Sequence, residues 1–439
     1  MSKINILNRF FPKTHEGAPA AQLTAVQQLR RSLMACLLWE DSFYESGEDI
    51  AARLKALVPQ VDAGTVAALA IEAREKFKLR HAPLLIVREM ARHPAHKRFV
   101  GETLARVIQR ADELSEFLAL YWMEGKQPLS KQVKKGLAEA FTKFDAYQLA
   151  KYDRAGAVRL RDVLFLVHAK PKDAEQEAMW KQLVDGTLPS PDTWEVALSG
   201  GQEPQETWTR LLQENKLGAL ALLRNLRNMA EAKVDEDLIF TALEKMKVER
   251  VLPFRFISAA RFVPQWEHPL EGAMLKCLDG REKLPGKTVI LVDVSGSMDS
   301  RIANKSDLMR YDAANGLAIL ARELCEQVAV YSFSNEVVRV PDRHGFALRD
   351  AIKNSQLHSG TYLGKTIETL DKREKYDRLL VLTDEQSRDA VPDPKGMGYM
   401  INVAAYKNGV GYDAWMRIDG WSEAIFDYIT TIEKEAQIG

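Results

Sequence analysis

Three oxygen-bearing side chains directly follow an apolar run in the segment VILVDVSGSMDS, residues 289–300. The run 289–292 is typical of a strand buried on both faces, and a helical pattern resumes shortly afterwards. In an open α/β sheet, ligands bind in the loops at the carboxyl ends of the strands. Asp293, Ser295 and Ser297 therefore lie where a hard cation or a phosphate could be held, and their oxygens are ligands that suit Mg²⁺.

Two later segments carry side chains that could complete the same site. LLVLTDEQS is a second apolar strand that ends in Thr383 and Asp384, and SGTYLG places Thr361 behind a glycine at the start of a helix. Parallel strands that both end in aspartate can bring the two carboxylates to one edge of a sheet. The alternative is that these residues cap loops of a sheet that binds no ion.

Other chemistries lack the residues that they require. Phosphoryl transfer on an Asp-x-Asp motif needs a second acid where Ser295 stands, and a serine hydrolase needs a base beside its nucleophile. The sequence contains no Gly-x-Ser-x-Gly motif, no GxxxxGK[ST] loop and no Cys/His spacing typical of zinc sites. We therefore expect a protein that is not an enzyme, with a metal-dependent hydrolase as a much weaker alternative.

The elements that must position these residues fall into two parts. Apolar residues recur at intervals of three and four from about residue 23 to 278, which predicts many helices stacked as an α-solenoid. From about residue 280, strand-like runs at 288–294, 328–333, 378–383 and 399–405 alternate with helices, the last from Trp421. This alternation predicts a doubly wound α/β sheet. The predicted boundaries are an N-terminal arm at 1–20, a helical repeat domain at 21–280 and an α/β domain at 281–439.

Bulk composition narrows the compartment and the partners. The 439 residues include 61 basic and 61 acidic side chains, so the formal net charge is zero and any attraction to nucleic acid must come from local patches. No apolar run approaches the roughly 20 residues of a membrane span. The three cysteines are widely spaced and odd in number, which argues against a disulfide framework. We expect a cytoplasmic protein without a membrane partner, and a monomer.

Positive charge is concentrated in two windows of the helical half. Residues 74–110 hold ten Lys and Arg against three acids, and residues 126–172 hold eleven against four. Local excess charge of this kind attracts phosphate backbones. Most charge runs are only solvated helix faces, so the windows by themselves leave both interpretations open.

The oxygen-bearing residues, taken together, resemble the metal-ion-dependent adhesion site of von Willebrand factor A domains. In that family the hydroxyls contact the cation and the aspartates act mainly through its waters. The implied cofactor is a divalent cation, Mg²⁺ with Mn²⁺ as the alternative. Carried over by position, the metal ligands are Asp293, Ser295, Ser297, Thr361 and Asp384.

Four further segments, in this order before DVSGSM, look like the TROVE-domain family, which includes the Ro autoantigen and its bacterial relatives: QLRRSLM, KYDRAGAVRLRDVLFLVHAKP, ALLRNLRNM and LPFRFISAARF. The resemblance implies a ring of HEAT-like helical repeats closed by a von Willebrand factor A domain. It implies small noncoding, Y-like RNA on the outer face and single-stranded ends of misfolded RNA in the central hole. RNA quality control with an exoribonuclease partner is the implied role.

The resemblance also suggests which residues contact RNA. Arg224 and Arg227 lie one helical turn apart and could line the hole, although ordinary surface ion pairing would explain the same spacing. A competing interpretation is a protein-binding adhesion module, in which the metal takes a partner's carboxylate and the helices are a scaffold. The candidates in or beside the family's Y-RNA-contacting segment are Lys151, Arg154, His168 and Lys170.

Overall fold

The structure is a computed structural model that describes residues 12–34, 36, 45–302, 308–404, 406–411 and 413–438. Residues 1–11 of the predicted N-terminal arm lie outside this set, as does residue 405 of the predicted strand at 399–405. The chain divides into two compact units. The first unit combines the residues up to Ile50 with those from Gly218 onward, and the second is Ala51–Leu217.

Helices account for the chain before the first strand, as the apolar periodicity predicts. Helices α3–α12 belong to the second unit, α1 and α13–α16 belong to the first, and α2 crosses the boundary between them. In chain order, the described helices are α1 (Ala25–Met34), α2 (Gly47–Leu57), α3 (Ala63–Glu75), α4 (His81–Arg92), α5 (Lys97–Val107), α6 (Asp112–Tyr121), α7 (Lys131–Phe141), α8 (Ala146–Tyr152), α9 (Leu160–Val167), α10 (Ala174–Asp185), α11 (Trp194–Ser199), α12 (Pro204–Gln213), α13 (Ala219–Glu231), α14 (Glu236–Lys245), α15 (Phe254–Phe262) and α16 (Glu267–Leu275).

The second unit is held together by helix pairs that approach closely. A Cβ atom added to Gly136 of α7 would lie 2.6 Å from the carbonyl oxygen of Gly101 in α5, so only glycine permits this approach. Leu104 and Leu137, from the same two helices, are fully buried. Ser130 caps α7 by accepting a hydrogen bond from the backbone N–H of Val133, which satisfies one free donor at the helix start.

The α/β part of the first unit is a six-stranded sheet in the order β3-β2-β1-β4-β5-β6. Every neighbouring pair is parallel except β2 with β3, which is an antiparallel edge pair. The prediction of a doubly wound sheet is therefore confirmed. The strands are β1 (Leu284–Asp293), β2 (Cys325–Phe333), β3 (Val337–Arg339), β4 (Arg378–Thr383), β5 (Met397–Asn402) and β6 (Trp415–Asp419), and the helices are α17 (Arg310–Leu324), α18 (Gly345–Lys353), α19 (Leu363–Arg373) and α20 (Ala424–Ile438).

The apolar pattern predicts four of the six strands. Strands β3 and β6 are not predicted. Strand β3 has only three residues and lies at an edge, so it needs no apolar run. Strand β6 reads WMRID, and its Arg417 and Asp419 are bonded to each other at 2.7 Å inside the protein. Because these charges neutralise each other, the strand is buried without the hydrophobic signature of its neighbours.

The N-terminal segment packs against the α/β sheet. Thr14 Oγ1 donates to the carbonyl oxygen of Ser387 at 2.8 Å, and the backbone N–H of Ala21 donates to the carbonyl oxygen of Gly409 at 2.9 Å. In α1, Arg31 is fully buried, and its Nη1 lies 3.0 Å from Glu385 Oε2. Arg31 Nη2 also donates to the carbonyl oxygen of Asn408 at 2.6 Å. The first helix therefore contributes a charge to the end of a sheet formed more than 300 residues later.

Two features of the described residues relate to the bulk composition, namely the length of apolar helices and the state of the cysteines. Within the described residues, no helix is both long enough and apolar enough to cross a membrane. None of the three cysteines forms a disulfide; Cys36 and Cys325 are buried, and Cys277 is partly exposed.

Replacing the buried arginine of α1 should destabilise the first unit. Arg31→Met leaves the fully buried Glu385 with one arginine instead of two, and breaking a buried ion pair costs about 3 kcal/mol or more. Urea unfolding should show the loss, and hydrogen exchange should place it in the first unit. Val26→Ala, on an exposed position of the same helix, is the control and should change the free energy of unfolding by less than about 0.5 kcal/mol. Equal stability of Arg31→Met and the unmodified chain would contradict this role.

Candidate functional site

The loop after β1 carries the first three predicted metal ligands. Asp293 is the last residue of β1, and one of its carboxylate oxygens accepts a hydrogen bond from the backbone N–H of Ser295 at 2.8 Å. The other accepts from Thr383 Oγ1, at the end of the adjacent β4, at 2.5 Å. The hydroxyls of Ser295 and Ser297 are 3.2 Å apart. Strand pairing of β1 with β4 thus fixes this carboxylate at the carboxyl edge of the sheet.

Backbone hydrogen bonds tie the three ligand-bearing loops together. The N–H of Gly296 donates to the carbonyl oxygen of Ser359 at 2.9 Å, which joins the first loop to the one that carries Thr361. The N–H of Arg388 donates to the carbonyl oxygen of Thr361 at 2.8 Å, which joins that loop to the one that follows β4. The structure therefore places the loops of all five predicted metal ligands at one edge of the sheet.

The site is buried except on one side. Asp293 and Asp384 are inaccessible to solvent, and Ser295 and Thr361 are nearly so, whereas Ser297 is partly exposed. Burial, together with the nearby charge of Asp384, raises the pKa of Asp293 to about 7. Two buried carboxylates that share one site repel each other, and a divalent cation would relieve that repulsion. The donor set of carboxylates and hydroxyls therefore fits a hard cation such as Mg²⁺.

The same edge holds a second group of charges that the motif analysis missed. Glu385 follows the predicted ligand Asp384, and its carboxylate contacts Arg31 at 3.0 Å and Arg417 at 2.6 Å. Burial raises the pKa of Glu385 above its ordinary value, and the positive charge of Arg31 opposes that shift. The sequence signal is weak, because the partners of Glu385 come from the first helix and the last strand.

A third arginine lies directly beside the predicted ligands. Arg310, the first residue of α17, is almost completely buried, and its Nη1 lies 3.3 Å from Asp384 Oδ2. The motif analysis did not select this residue, since it lies twelve positions beyond the end of the DVSGSM segment. Its only sequence signal is a basic residue at the start of a helix, where acidic residues are preferred.

Residues proposed for Y-like RNA lie on the surface of the second unit. Arg154, His168 and Lys170 are exposed, and among the described residues none of the three is in an ion pair. Lys151, in the last turn of α8, has its Nζ 5.8 Å from the ring centre of Tyr147. His168 ends α9 in the left-handed conformation, with φ of 53°, where glycine is normally preferred.

Arg224 and Arg227 lie on the exposed face of α13, opposite the buried Leu223 and Leu226. Arg227 is 3.6 Å from Glu231 one turn further on, as the surface ion-pair alternative requires. Its guanidinium carbon is also 5.6 Å from the centre of the Phe262 ring, and nearly half of Phe262 is exposed. A cation beside an exposed aromatic ring is a surface that can stack with a base.

The first basic window is largely neutralised, and charge counting alone overestimates its attraction for phosphate. Six of its ten basic residues form ion pairs, mostly with acids that lie just beyond residue 110. Exposed residues outside these pairs include Lys97 and Arg98. The paired arginines are Arg74 with Glu113, Arg80 with Asp112 and Glu116, Arg88 and Arg92 with Glu124, Arg106 with Glu75, and Arg110 with Asp112.

Comparisons with known proteins agree with this fold. Residues 177–279 match the sequence model of the TROVE domain family. The crystal structure of the Ro (RSR) protein of Deinococcus radiodurans is similar, with a TM-score of 0.59 and 19% sequence identity, over 93% of this chain and 99% of that chain. Comparison with curated proteins finds no match.

The matched segment contains Arg224 and Arg227 and excludes Lys151, Arg154, His168 and Lys170. For these four residues, the assignment to RNA contact stays a prediction. Residues 177–279 therefore resemble the TROVE domain family, and the chain as a whole has a fold similar to that of a bacterial Ro protein.

Proposed function

We propose that this protein binds RNA as a Ro-like protein and has no enzymatic activity of its own. The observation that carries the proposal is the TROVE-domain match at 177–279 within a chain that shares the fold of a Ro protein over 93% of its length. The proposed ligands are a small noncoding, Y-like RNA and the single-stranded ends of misfolded RNA. The proposed role is RNA quality control or processing in the cytoplasm, with an exoribonuclease supplying any cleavage.

The charge distribution supports a localised RNA surface in the second unit. Most arginines of the first basic window, residues 74–110, are in ion pairs within the protein. In contrast, Arg154, His168 and Lys170 are exposed. A basic side chain that already forms an ion pair contributes less free energy to phosphate binding, because the existing ion pair must first be broken. We therefore assign the structured RNA to the surface formed by Lys151, Arg154, His168 and Lys170, which we call the Lys151 surface.

The second proposed site is the oxygen-rich edge of the sheet. Asp293, Ser295, Ser297, Thr361 and Asp384 would hold a divalent cation, Mg²⁺ or Mn²⁺, which would neutralise the two buried carboxylates. Ser295 stands where a phosphoryl-transfer site would need a second acid. Among the described residues, no three or more His, Cys, Asp and Glu side chains are grouped so that they could hold a metal ion by themselves. We propose a structural or adhesive role for the cation, without catalysis.

A protein-binding adhesion module is the alternative, and one observation favours it. The metal site opens towards solvent at Gly296, which is exposed, and Ser297, which is partly exposed. A carboxylate of a protein partner could reach a bound cation from that side. The two functions differ in a simple measurement, since RNA crosslinked to the native protein would support the first and recovery of protein partners alone would support the second.

Metal binding should depend on the buried carboxylate of β1. Asp293→Asn keeps the size of the side chain but removes one of the two negative charges, so Mn²⁺ or Mg²⁺ affinity should fall by about tenfold or more. Isothermal calorimetry is the measurement. RNA affinity should be nearly unchanged, because the Lys151 surface belongs to the other unit. Equal metal affinity in the variant and the unmodified chain would reject this assignment.

Structured RNA should bind the Lys151 surface in a salt-dependent manner. Each neutralised phosphate contributes about −0.9 to the slope of log affinity against log salt for a duplex, so Lys151→Ala/Lys170→Ala should make the slope shallower by up to roughly two. Filter binding of an RNA hairpin over a salt series is the measurement. Lys97→Ala/Arg98→Ala removes the same number of charges from the first basic window and should leave the slope unchanged.

A second variant separates RNA contact from stability on the same surface. His168→Gly removes the imidazole. The backbone at this position has φ of 53°, a conformation that glycine adopts without the steric cost that a side chain imposes. The folded state should therefore be as stable as before or more stable, while hairpin affinity falls. If the salt slope moves in the Lys97→Ala/Arg98→Ala variant instead, the RNA contact lies in the first window.

A free RNA end should bind along helix α13. Arg224 and Arg227 are exposed on one face, and guanidinium groups pair with phosphates and stack on bases. A hairpin with a single-stranded 3′ tail should outcompete the same hairpin with a blunt end in gel-shift assays. Arg224→Ala/Arg227→Ala should abolish the advantage of the tail while leaving blunt hairpin affinity intact. Equal affinity of the unmodified protein for both RNAs would argue against end capture.

A further inference from the structure

Two backbone hydrogen bonds hold Arg310 next to the loop that follows β1. The N–H of Ile302 donates to the carbonyl oxygen of Leu308 at 2.8 Å, and the N–H of Arg310 donates to the carbonyl oxygen of Ser300 at 3.0 Å. These bonds join residues 300–302 to residues 308–310. The first residue of α17 is thereby placed directly beside the loop that carries Ser297.

The start of α17 is fixed from the other side as well. The backbone N–H of Met309 donates to Asp312 Oδ2 at 2.7 Å, and Asp312 in turn forms an ion pair with Arg261 of helix α15. Asp312 is completely buried at its side chain. Arg310 is therefore held by a helix start that is anchored in the interior of the unit, and its guanidinium is not a loosely placed surface group.

The guanidinium contacts two of the residues that we assign to the cation. Arg310 Nη1 lies 3.3 Å from Asp384 Oδ2 and 3.5 Å from the carbonyl oxygen of Ser297. Only about 1% of the Arg310 side chain is exposed, so little water screens its charge. A positive charge at this distance neutralises part of the negative charge that a divalent cation would use. It also repels the cation itself.

We propose that Arg310 is an internal competitor of the divalent cation for Asp384. Without metal, the guanidinium compensates the buried carboxylate and keeps the two aspartates together. When metal binds, Asp384 must exchange the guanidinium for the cation, so part of the binding energy is consumed by the loss of the ion pair. Arg310 thus sets the metal affinity of the site low and makes the metal-free form stable. The inference rests on the proposed metal site.

Metal titration of the full-length chain tests this role. Arg310→Met and Arg310→Gln both remove the charge, the first with an apolar and the second with a polar side chain. Both should bind Mn²⁺ about tenfold more tightly or better, as the Coulomb repulsion is lost. Arg310→Lys keeps a positive charge and should remain much closer to the unmodified chain. Arg322→Met, from the other end of α17, is the matched control and should leave Mn²⁺ affinity unchanged.

Thermal unfolding gives a second readout that does not depend on calorimetry. Without metal, the neutral variants should unfold at a lower temperature than the unmodified chain, because Asp384 loses its buried partner. Added Mn²⁺ should raise their unfolding temperature by more than it raises that of the unmodified chain, since binding stabilises the folded state in proportion to affinity. Either neutral variant that folds is sufficient for the comparison.

The outcomes separate this inference from the metal site on which it rests. Tight Mn²⁺ binding by the neutral variants that disappears when Asp384→Asn is added would support both. Equal or weaker binding by the neutral variants than by the unmodified chain would overturn the role of Arg310 and leave the metal site standing. Absence of Mn²⁺ binding in every variant would overturn the metal site and this inference with it.

Discussion

Buried carboxylates at the carboxyl edge of the sheet require buried positive partners, and the architecture of the first unit depends on this requirement. An isolated buried charge costs several kcal/mol, whereas a paired and hydrogen-bonded one can be tolerated. Three arginines from distant parts of the chain meet the requirement. The acids are Asp293, Asp384, Glu385 and Asp419, and the arginines are Arg31, Arg310 and Arg417.

Each arginine explains one feature of the fold that hydrophobic packing alone does not. Arg31 of helix α1 contacts Glu385 beyond the end of β4, and Arg417 of the edge strand β6 pairs with Glu385 and Asp419 inside the protein. Arg310, at the start of α17, contacts Asp384. These arginine–carboxylate pairs lie next to the proposed metal site, which itself contains two buried carboxylates. Changes in the charge of the site are therefore transmitted to the elements that surround it.

Much of this architecture can be predicted from the sequence because it depends on local patterns. The alternation of apolar strands and helices predicts the parallel sheet, and strands that end in Asp293 and Thr383–Asp384 predict the edge where the oxygen ligands gather. Long-range ionic partners escape such analysis. Nothing near Glu385 in the sequence identifies Arg31, which is 354 positions away. Strand β6 escapes for the same reason, since its burial depends on partners rather than on apolar residues.

The basic windows show the opposite error, in which a local pattern suggests more than the structure supports. Counting charges over residues 74–110 leaves out the acids at 112, 113, 116 and 124, which the helical packing brings back to the same arginines. The set at 154, 168 and 170 has fewer charges, but its side chains are exposed, and none of them is in an ion pair among the described residues. Helix packing decides which basic side chains are paired and which are available to a ligand. Local charge counts along the sequence do not predict this pairing.

The discontinuous first unit imposes an order on biosynthesis. Arg31 leaves the ribosome long before Glu385 exists, and the intervening 354 positions take about 20 to 70 s to synthesise at typical rates. Throughout that interval the second unit, which is one continuous stretch of chain, is free to fold by itself. During the same interval, Arg31 of helix α1 cannot form its ion pair, because Glu385 has not yet been synthesised. A nascent chain of this protein therefore spends most of its synthesis before the buried partner of Arg31 has been made.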